Sequence, residues 1–496
     1  MLHSRISDLA FNAARKFGDK TALTVPGKRS LSFREIDDLA GRMAGALAHR
    51  GIRTGDRIVL HLPNGWQWVV AYHAIARLGV VVVPANFLLS AEEVAYILQD
   101  SDAVALIVPS EKRASFDTQA RVFTLGDAPA AEEICTLFEG EYLAPVERVP
   151  DDLFTIGYTS GTTGRPKGAT MTHGGVFASL SGTATMHVRQ TVDVVLTSLP
   201  FSHVYGNIVM NSTFLVGSRL ITTPRFEAGE ALRLIGSEKA TLFEGVPTMF
   251  YQMLSHADIE GADLSSLTRC TVGGQTMPTA KINSVTDRFG CPLLELWGMT
   301  EVAGPAVTHS PYWSPRPGSI GLPMPGFQTR IADLEDPARD AAPGSPGELM
   351  VRGAMVTRGY WRNETATREV IDAEGWLATG DIAHVDDDGY IFIVDRKKDM
   401  IITAGYNVYP AELEQVIAMH PAVAMVAVVG IADEEKGELA QAFVVRHRAI
   451  AVNEDELLGH CRNHLATYKI PRRIIFVEDL PKNSTGKVLR RSLRQP

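Results

Sequence analysis

Short apolar runs recur along the chain: R-I-V-L-H-L-P at 57–63, A-L-I-V at 105–108, V-V-L-T-S-L-P at 194–200 and A-T-L-F-E-G-V-P at 240–247. Their length and β-branched content read as buried strands. Between them lie stretches of helical periodicity, such as S-A-E-E-V-A-Y-I-L-Q at 90–99, where Glu93 follows Ser90 by three positions. That spacing is a capping box, in which the two side chains satisfy backbone N–H groups left open by the first turn. Strands alternating with helices predict an α/β architecture with partly parallel sheets. At the N-terminus, Ile6, Leu9, Ala10 and Ala13 form an amphipathic stripe. Such a stripe packs on its own domain by default, and membrane-surface contact is the alternative.

The pattern changes in the last third. Residues 337–347 are rich in Pro, Gly and Ala, G-E-L-M-V-R-G follows, and a second strand pair is expected at 390–395 and 400–403. A new unit is expected to begin near 337–347. After 395 comes the polar run Arg396, Lys397, Lys398, Asp399, and the roughly 100 residues beyond it suffice for a small domain. The expected architecture is a large N-terminal domain (1–395) of mixed sheets layered with helices, a hinge (396–399) and a small mobile α+β C-terminal domain (400–496).

Composition narrows the classes. At 496 residues, 45% apolar and 21% charged, the chain has the make-up of a folded multidomain protein. A net charge of −9 offers no cationic footprint for a phosphate backbone, which sets nucleic acid aside. Four scattered cysteines with no C-x-x-C pair suit reduced thiols. His460, Cys461 and His464 share one helical turn, but no second ligand pair accompanies them, so a plain helix face is the reading. No apolar run approaches the roughly 20 residues that span a bilayer, and Asp8 and Asp19 interrupt any signal-like start. A cytoplasmic location is expected.

The segment with the densest chemistry is Y-T-S-G-T-T-G-R-P-K-G at 158–168, following L-F-T-I-G. Thr159, Ser160, Gly161, Thr162, Thr163, Gly164 and Lys167 would offer hydroxyls, backbone N–H groups and a cation together, which is what a polyphosphate requires. It is not a Walker loop, because Arg165 and Pro166 separate Lys167 from Gly164 and no Gly-Lys-Ser/Thr leads into a helix. Alone, the loop supports phosphate binding and nothing finer.

This loop resembles that of the adenylate-forming superfamily of acyl-CoA synthetases, adenylation domains and firefly-type luciferases. Further segments resemble that family's other motifs in the same order: P-F-S-H-V-Y-G at 200, L-W-G-M-T-E at 296, G-E-L-M-V-R-G-A-M-V-T-R-G-Y-W at 347, W-L-A-T-G-D at 376, D-R-K-K-D at 395, G-Y-N-V-Y-P at 405 and P-K-N-S-T-G-K at 481. The pattern is nearest that of fatty-acid or aromatic acyl-CoA ligases.

The chemistry of such a reaction accounts for those segments. A carboxylate is a poor electrophile, and attack on the α-phosphorus of ATP gives its oxygen a good leaving group, AMP. Both reactants are anions, so the site must supply cations. By resemblance, Lys487 reaches the α-phosphate and carboxylate oxygens, although as sequence it is one of a basic tail with Lys482, Arg490 and Arg491. Glu301 would hold Mg²⁺ between phosphates while Thr300 bonds phosphate, in keeping with the hard oxygen ligands that Mg²⁺ prefers. Asp381 and Arg396 would take the ribose hydroxyls. Trp297, where the family commonly has tyrosine, would flank the adenine, and Gly274, Gln275, Gly298 and Met299 complete the implied ATP site. His203 would border the carboxylate and gate between half-reactions. Rotation at Lys398 would withdraw Lys487 and bring Gly405 and Tyr406 to the pantetheine channel of coenzyme A. Ala404 stands where many relatives have a second glycine.

The implied acyl pocket comprises His203, Val204, Tyr205, Gly206, Val246, Val272, Gly273 and Gly274. Apart from His203 it carries no charge: there is no arginine for a dicarboxylate and no aspartate after Pro200 for an amino-acid ammonium. An apolar or aromatic monocarboxylate fits, with Gly273 and Gly274 leaving room for a fatty chain or an aryl ring. The expectation is an acid–CoA ligase using ATP, Mg²⁺ and coenzyme A, for which a homodimer is an allowed assembly. The alternatives are loading of a separate carrier protein, luciferase-like oxygenation and a non-catalytic acyl-nucleotide binder.

Overall fold

The computed structural model describes residues 5–125, 137–159, 165–404, 406–433, 435–447, 450–483 and 486–494. Within them the apolar runs become strands Arg57–Leu60, Ala105–Pro109, Val194–Thr197 and Leu242–Gly245. The helix Ala91–Asp100 begins at Ser90 with both capping-box bonds made. Ile6, Leu9, Ala10 and Ala13 are all buried, so the N-terminal stripe packs on its own domain.

Two sheets dominate. A six-stranded sheet runs Arg121–Leu125, Ala105–Pro109, Arg57–Leu60, Val81–Pro84, Leu153–Thr159, Lys167–Thr172, parallel except at its last pair. A nine-stranded sheet has a parallel centre containing Leu293–Met299, Arg269–Val272, Leu242–Gly245 and Val194–Thr197, in that order. Both are covered by helices, as parallel strands apolar on both faces require. In the second sheet Thr197, Glu244 and Thr271 stand in one cross-strand row.

Two expectations need correction. The Pro/Gly-rich stretch at 337–347 does not open a new unit: it joins Phe327–Ala332 to Gly347–Gly353, two neighbouring strands of a four-stranded antiparallel sheet. Nor do the strands near 390–395 and 400–403 pair. Ile391–Arg396 closes that four-stranded sheet, whereas Ile401–Thr403 lies in the sheet formed with Tyr406–Val408, Gly437–Arg446, Val423–Asp433 and Arg473–Phe476. Adjacency in sequence was misleading because the chain passes from one folding unit to another between them, around Lys397 and Lys398. Each unit has its own apolar cluster, one around Leu349, Val351 and Leu377 and another around Ile401, Leu413 and Val444.

Candidate active site

Part of the set singled out in the sequence converges on a cleft of about 800 Å³ between the four-stranded sheet, the end of the nine-stranded sheet and the C-terminal unit. Val272, Gly274, Gln275, Trp297, Gly298, Asp381, Arg396, Lys398 and Lys487 all line it.

Asp381 is fixed by its strand, Leu377–Val385, opposite Arg396. The residue is 4% exposed and both carboxylate oxygens are engaged: Arg396 Nε lies 3.0 Å from Oδ1, and Trp297 Nε1 donates to Oδ2 at 2.8 Å. Trp297 therefore does more than present a ring face. Its N–H aims the carboxylate that would meet the ribose, a tie no sequence motif announces, since strands 84 positions apart supply the two partners.

Glu301 sits in the single turn Thr300–Val302 that follows the strand Leu293–Met299. Tyr360 donates its hydroxyl to Glu301 Oε1 at 3.0 Å. Burial pushes the Glu301 carboxyl above its usual range, against the pull of Tyr360, Arg396 and Lys167. Lys167 Nζ stands 5.2 Å from the Tyr360 ring centre. The strand Leu153–Thr159 abuts this turn closely because residue 157 is glycine: a Cβ there would come within 2.6 Å of Thr300 Cγ2. Glycine thus lets the base of the 158–168 loop reach Thr300. Thr159 closes that base through its hydroxyl to Lys167 O at 3.4 Å. Tyr158 donates to Asp100 at 2.5 Å and Tyr96 to Pro166 O at 2.9 Å, anchors the sequence reading missed. Ser160, Gly161, Thr162, Thr163 and Gly164 lie outside the described residues.

Lys487 enters from the C-terminal unit. Its backbone N–H donates to Asn483 Oδ1 at 2.9 Å, and its own turn docks on the large domain through Val488 N to Gln275 Oε1 at 3.1 Å and Thr248 Oγ1 to Gly486 O at 3.1 Å. Burial, and then the neighbouring Arg396 charge, lower the Lys487 ammonium to about 8, with Asp381 opposing. A buried cation held against other cations marks a place built to receive an anion.

His203 caps the helix Val204–Val216, its Nδ1 accepting the Tyr205 backbone N–H at 3.4 Å. That leaves the ring proton on Nε2. Burial and the Lys487 charge lower its pKa to about 4, so it is a neutral donor at physiological pH. With Val204, Thr300 and Gly157 it borders a second, much smaller cavity.

Other expected residues are placed less simply. Gly206 packs against the Pro200 backbone, where a Cβ would meet the carbonyl oxygen at 2.3 Å. Gly273 leaves no free room: the Leu296 side chain occupies the position its Cβ would take, at 2.3 Å. Gly274, at φ +93°, faces Val246. Met299, half-buried, ends the strand before Thr300. Tyr406 lies away from the cleft, exposed and stacked on Tyr468 at 4.7 Å, and Gly405 lies outside the described residues. Among the described residues no cluster of three His, Cys, Asp or Glu side chains could hold a metal ion, and no helix is long and apolar enough to cross a membrane.

A nucleotide-sized cleft closed by a lysine-bearing lobe defines a class, and comparison places the chain in it. Residues 10–361 match the AMP-binding enzyme family and 412–487 match the AMP-binding enzyme C-terminal domain; the chain belongs to this family. It is 33% identical to a long-chain-fatty-acid–CoA ligase of Bacillus subtilis (strain 168), over 98% of this chain and 94% of that one. It is 35% identical to a 2-succinylbenzoate–CoA ligase of Geobacillus sp. (strain WCH70), covering 95% and 93%. Among solved structures it resembles ATP-bound MatB from Rhodopseudomonas palustris with a TM-score of 0.91, 30% identity and 98% of both chains covered.

Proposed function

We infer that this protein is an AMP-forming acyl-CoA synthetase, which joins a monocarboxylic acid to AMP with release of pyrophosphate and then transfers the acyl group to coenzyme A. The observation that carries this reading is the buried Lys487 ammonium, set in the cleft beside Asp381 and Arg396 and near enough to His203 for its charge to lower that imidazole's pKa. The cations and carboxylates gathered there suit charge stabilisation during attack by one bound reactant on another. The CoA ligase names of its relatives, matched over nearly full length, support the acceptor.

Asp381 accepts from the ribose, aimed by Trp297 and Arg396. Lys487 neutralises the charge that builds on the α-phosphate and carboxylate oxygens. His203 donates from Nε2 to the carboxylate and shields it from water. Glu301 fits a Mg²⁺ site: a buried carboxylate oriented by Tyr360 is a hard donor whose raised pKa a cation would reverse. With one protein carboxylate there, phosphate oxygens would complete the coordination, the usual pattern for this ion. Bound Mg²⁺ would offset charge on the leaving pyrophosphate. Lys398, facing the cleft at the passage between units, is the pivot about which the C-terminal unit turns before thioester formation.

The test is acid-dependent exchange of pyrophosphate into ATP, followed by thioester formation on adding coenzyme A. Exchange that does not depend on Mg²⁺ would refute the role of Glu301. AMP release with no thioester would shift the acceptor to a carrier protein.

A further inference from the structure

We propose that the acid site admits only small-bodied carboxylic acids, a single ring or a short or branched chain, because Tyr205 and Leu296 close the space a long chain would need. This rests on the reading of the chain as an acyl-CoA synthetase and goes beyond it in naming the size class.

On the proposed function the acid's carboxylate meets His203, and its body would lie between the helix Val204–Val216, which that residue caps, and the sheet that carries Thr271 and, just past its strand's end, Gly273. Two barriers cross that space. Leu296, one strand over, leans on Gly273 so closely that a Cβ there would sit 2.3 Å from its Cδ1. Two residues before Gly273, roughly 7 Å along the extended chain, Tyr205 reaches from the helix to the sheet, its hydroxyl 2.6 Å from Thr271 Oγ1.

The second barrier is anchored. Thr271 donates to Glu244 Oε2 at 2.9 Å, so its single proton is used and Tyr205 must be the donor in their mutual bond. Glu244 Oε1 in turn pairs with Arg189 at 2.6 Å, both side chains fully buried, and Arg189 donates to Ser212 at 2.8 Å on the helix that carries Tyr205. An alkyl chain pushed past Tyr205 would strand Thr271 and a buried ion pair among methylenes, and unpaired buried polar groups are costly. The Arg189–Glu244 charges lie behind this bar and are matched to each other, so they do not recruit a dicarboxylate.

The experiment is a panel of acids with the full-length enzyme, ATP, Mg²⁺ and coenzyme A, read as pyrophosphate release: benzoate, 2-methylbutanoate and pentanoate against dodecanoate and hexadecanoate. A kcat/KM for the best small acid about 100-fold or more above hexadecanoate is expected, the order of discrimination a shaped pocket achieves. Tyr205→Ala should raise dodecanoate turnover relative to benzoate, while Tyr205→Phe, which keeps the ring, should retain the cut-off. Hexadecanoate used as well as the small acids by the wild-type enzyme overturns the size assignment alone. Pyrophosphate release with no acid of either kind overturns the synthetase reading and this inference together.

Discussion

Asp381 and Lys487 face the same cleft, yet they are held there in different ways. Asp381 belongs to a strand paired on both sides, with Trp297 and Arg396 gripping its two oxygens. Lys487 sits on a turn that meets the large domain through isolated polar contacts: Gln275 with Val488, Thr248 with Gly486, and further out Gln415 with Thr279 at 2.9 Å and Lys281 with Val423 at 2.6 Å. Asp395 adds a buried tie across the passage, accepting from Ala411 N at 2.8 Å and pairing with Arg490 at 3.3 Å. Contacts of this kind exchange readily for water, whereas a sheet core does not. On the proposed function one wall would stay and the other leave, as a two-step reaction at a single carbonyl demands.

The largest expected effect separates the walls by half-reaction. Lys487→Ala should lower pyrophosphate exchange by roughly 10²- to 10³-fold, the scale of removing one preorganised charge stabiliser. Thioester formation from supplied acyl-AMP should stay within a few-fold of wild type. Equal loss in both steps would mean that Lys487 serves the fold or the ribose rather than the first transition state.

The fixed wall should behave in the opposite manner. Trp297→Phe keeps an aromatic ring and removes the N–H that aims Asp381. A hydrogen bond to a charged group contributes about 1.5–3 kcal/mol, so nucleotide binding should weaken by about ten-fold or more. Since the ribose is held throughout, exchange and transfer should both suffer, visible as a raised KM for ATP and weaker binding of acyl-AMP.

Much of this arrangement was legible in the sequence, and what was not has a common cause. Residues such as Asp381, Glu301 and Lys487 could be named because each lies in a segment that resembles a motif of the adenylate-forming superfamily; read alone, Lys487 is one cation of a basic tail. The Trp297–Asp381 bond, the Tyr360–Glu301 bond and the Tyr205–Thr271–Glu244–Arg189 chain were invisible, because each joins segments that only the sheet order brings together. The same blindness misjudged Gly273: glycine promised space, but the cross-strand neighbour Leu296 fills it. It also misjudged the strands on either side of Lys398, which are adjacent in sequence and belong to different sheets.

A pH profile sharpens the contrast at lower amplitude. With Lys487 lowered to about 8, its charge is present below that pH and lost above it. The kcat/KM for ATP, which reports the free enzyme, should fall about tenfold for each unit of pH beyond 8. Bound phosphate opposes the loss of the proton, so the corresponding limb of kcat should lie at higher pH. Transfer from acyl-AMP should lack this limb. A profile for the first step that is flat to pH 10 would contradict the burial of this ammonium.

The smallest effect concerns the moving wall's own loop. Ala404 has φ +48°, in the left-handed region where a side chain costs roughly 1–2 kcal/mol. The conformation is held by its N–H donating to Lys436 O at 2.8 Å. Ala404→Gly should remove that strain, but glycine also gains entropy in the unfolded chain, an opposing cost of about 0.4–1 kcal/mol. The difference leaves a net stabilisation between about 0 and 1.6 kcal/mol, read as a small rise in the denaturation midpoint of the C-terminal unit. Because Ala404 precedes the Gly405–Tyr406 segment and lies outside the ATP cleft, pyrophosphate exchange should be unaffected. A destabilised Ala404→Gly variant would show that the alanine methyl packs in a way that outweighs the strain of its backbone.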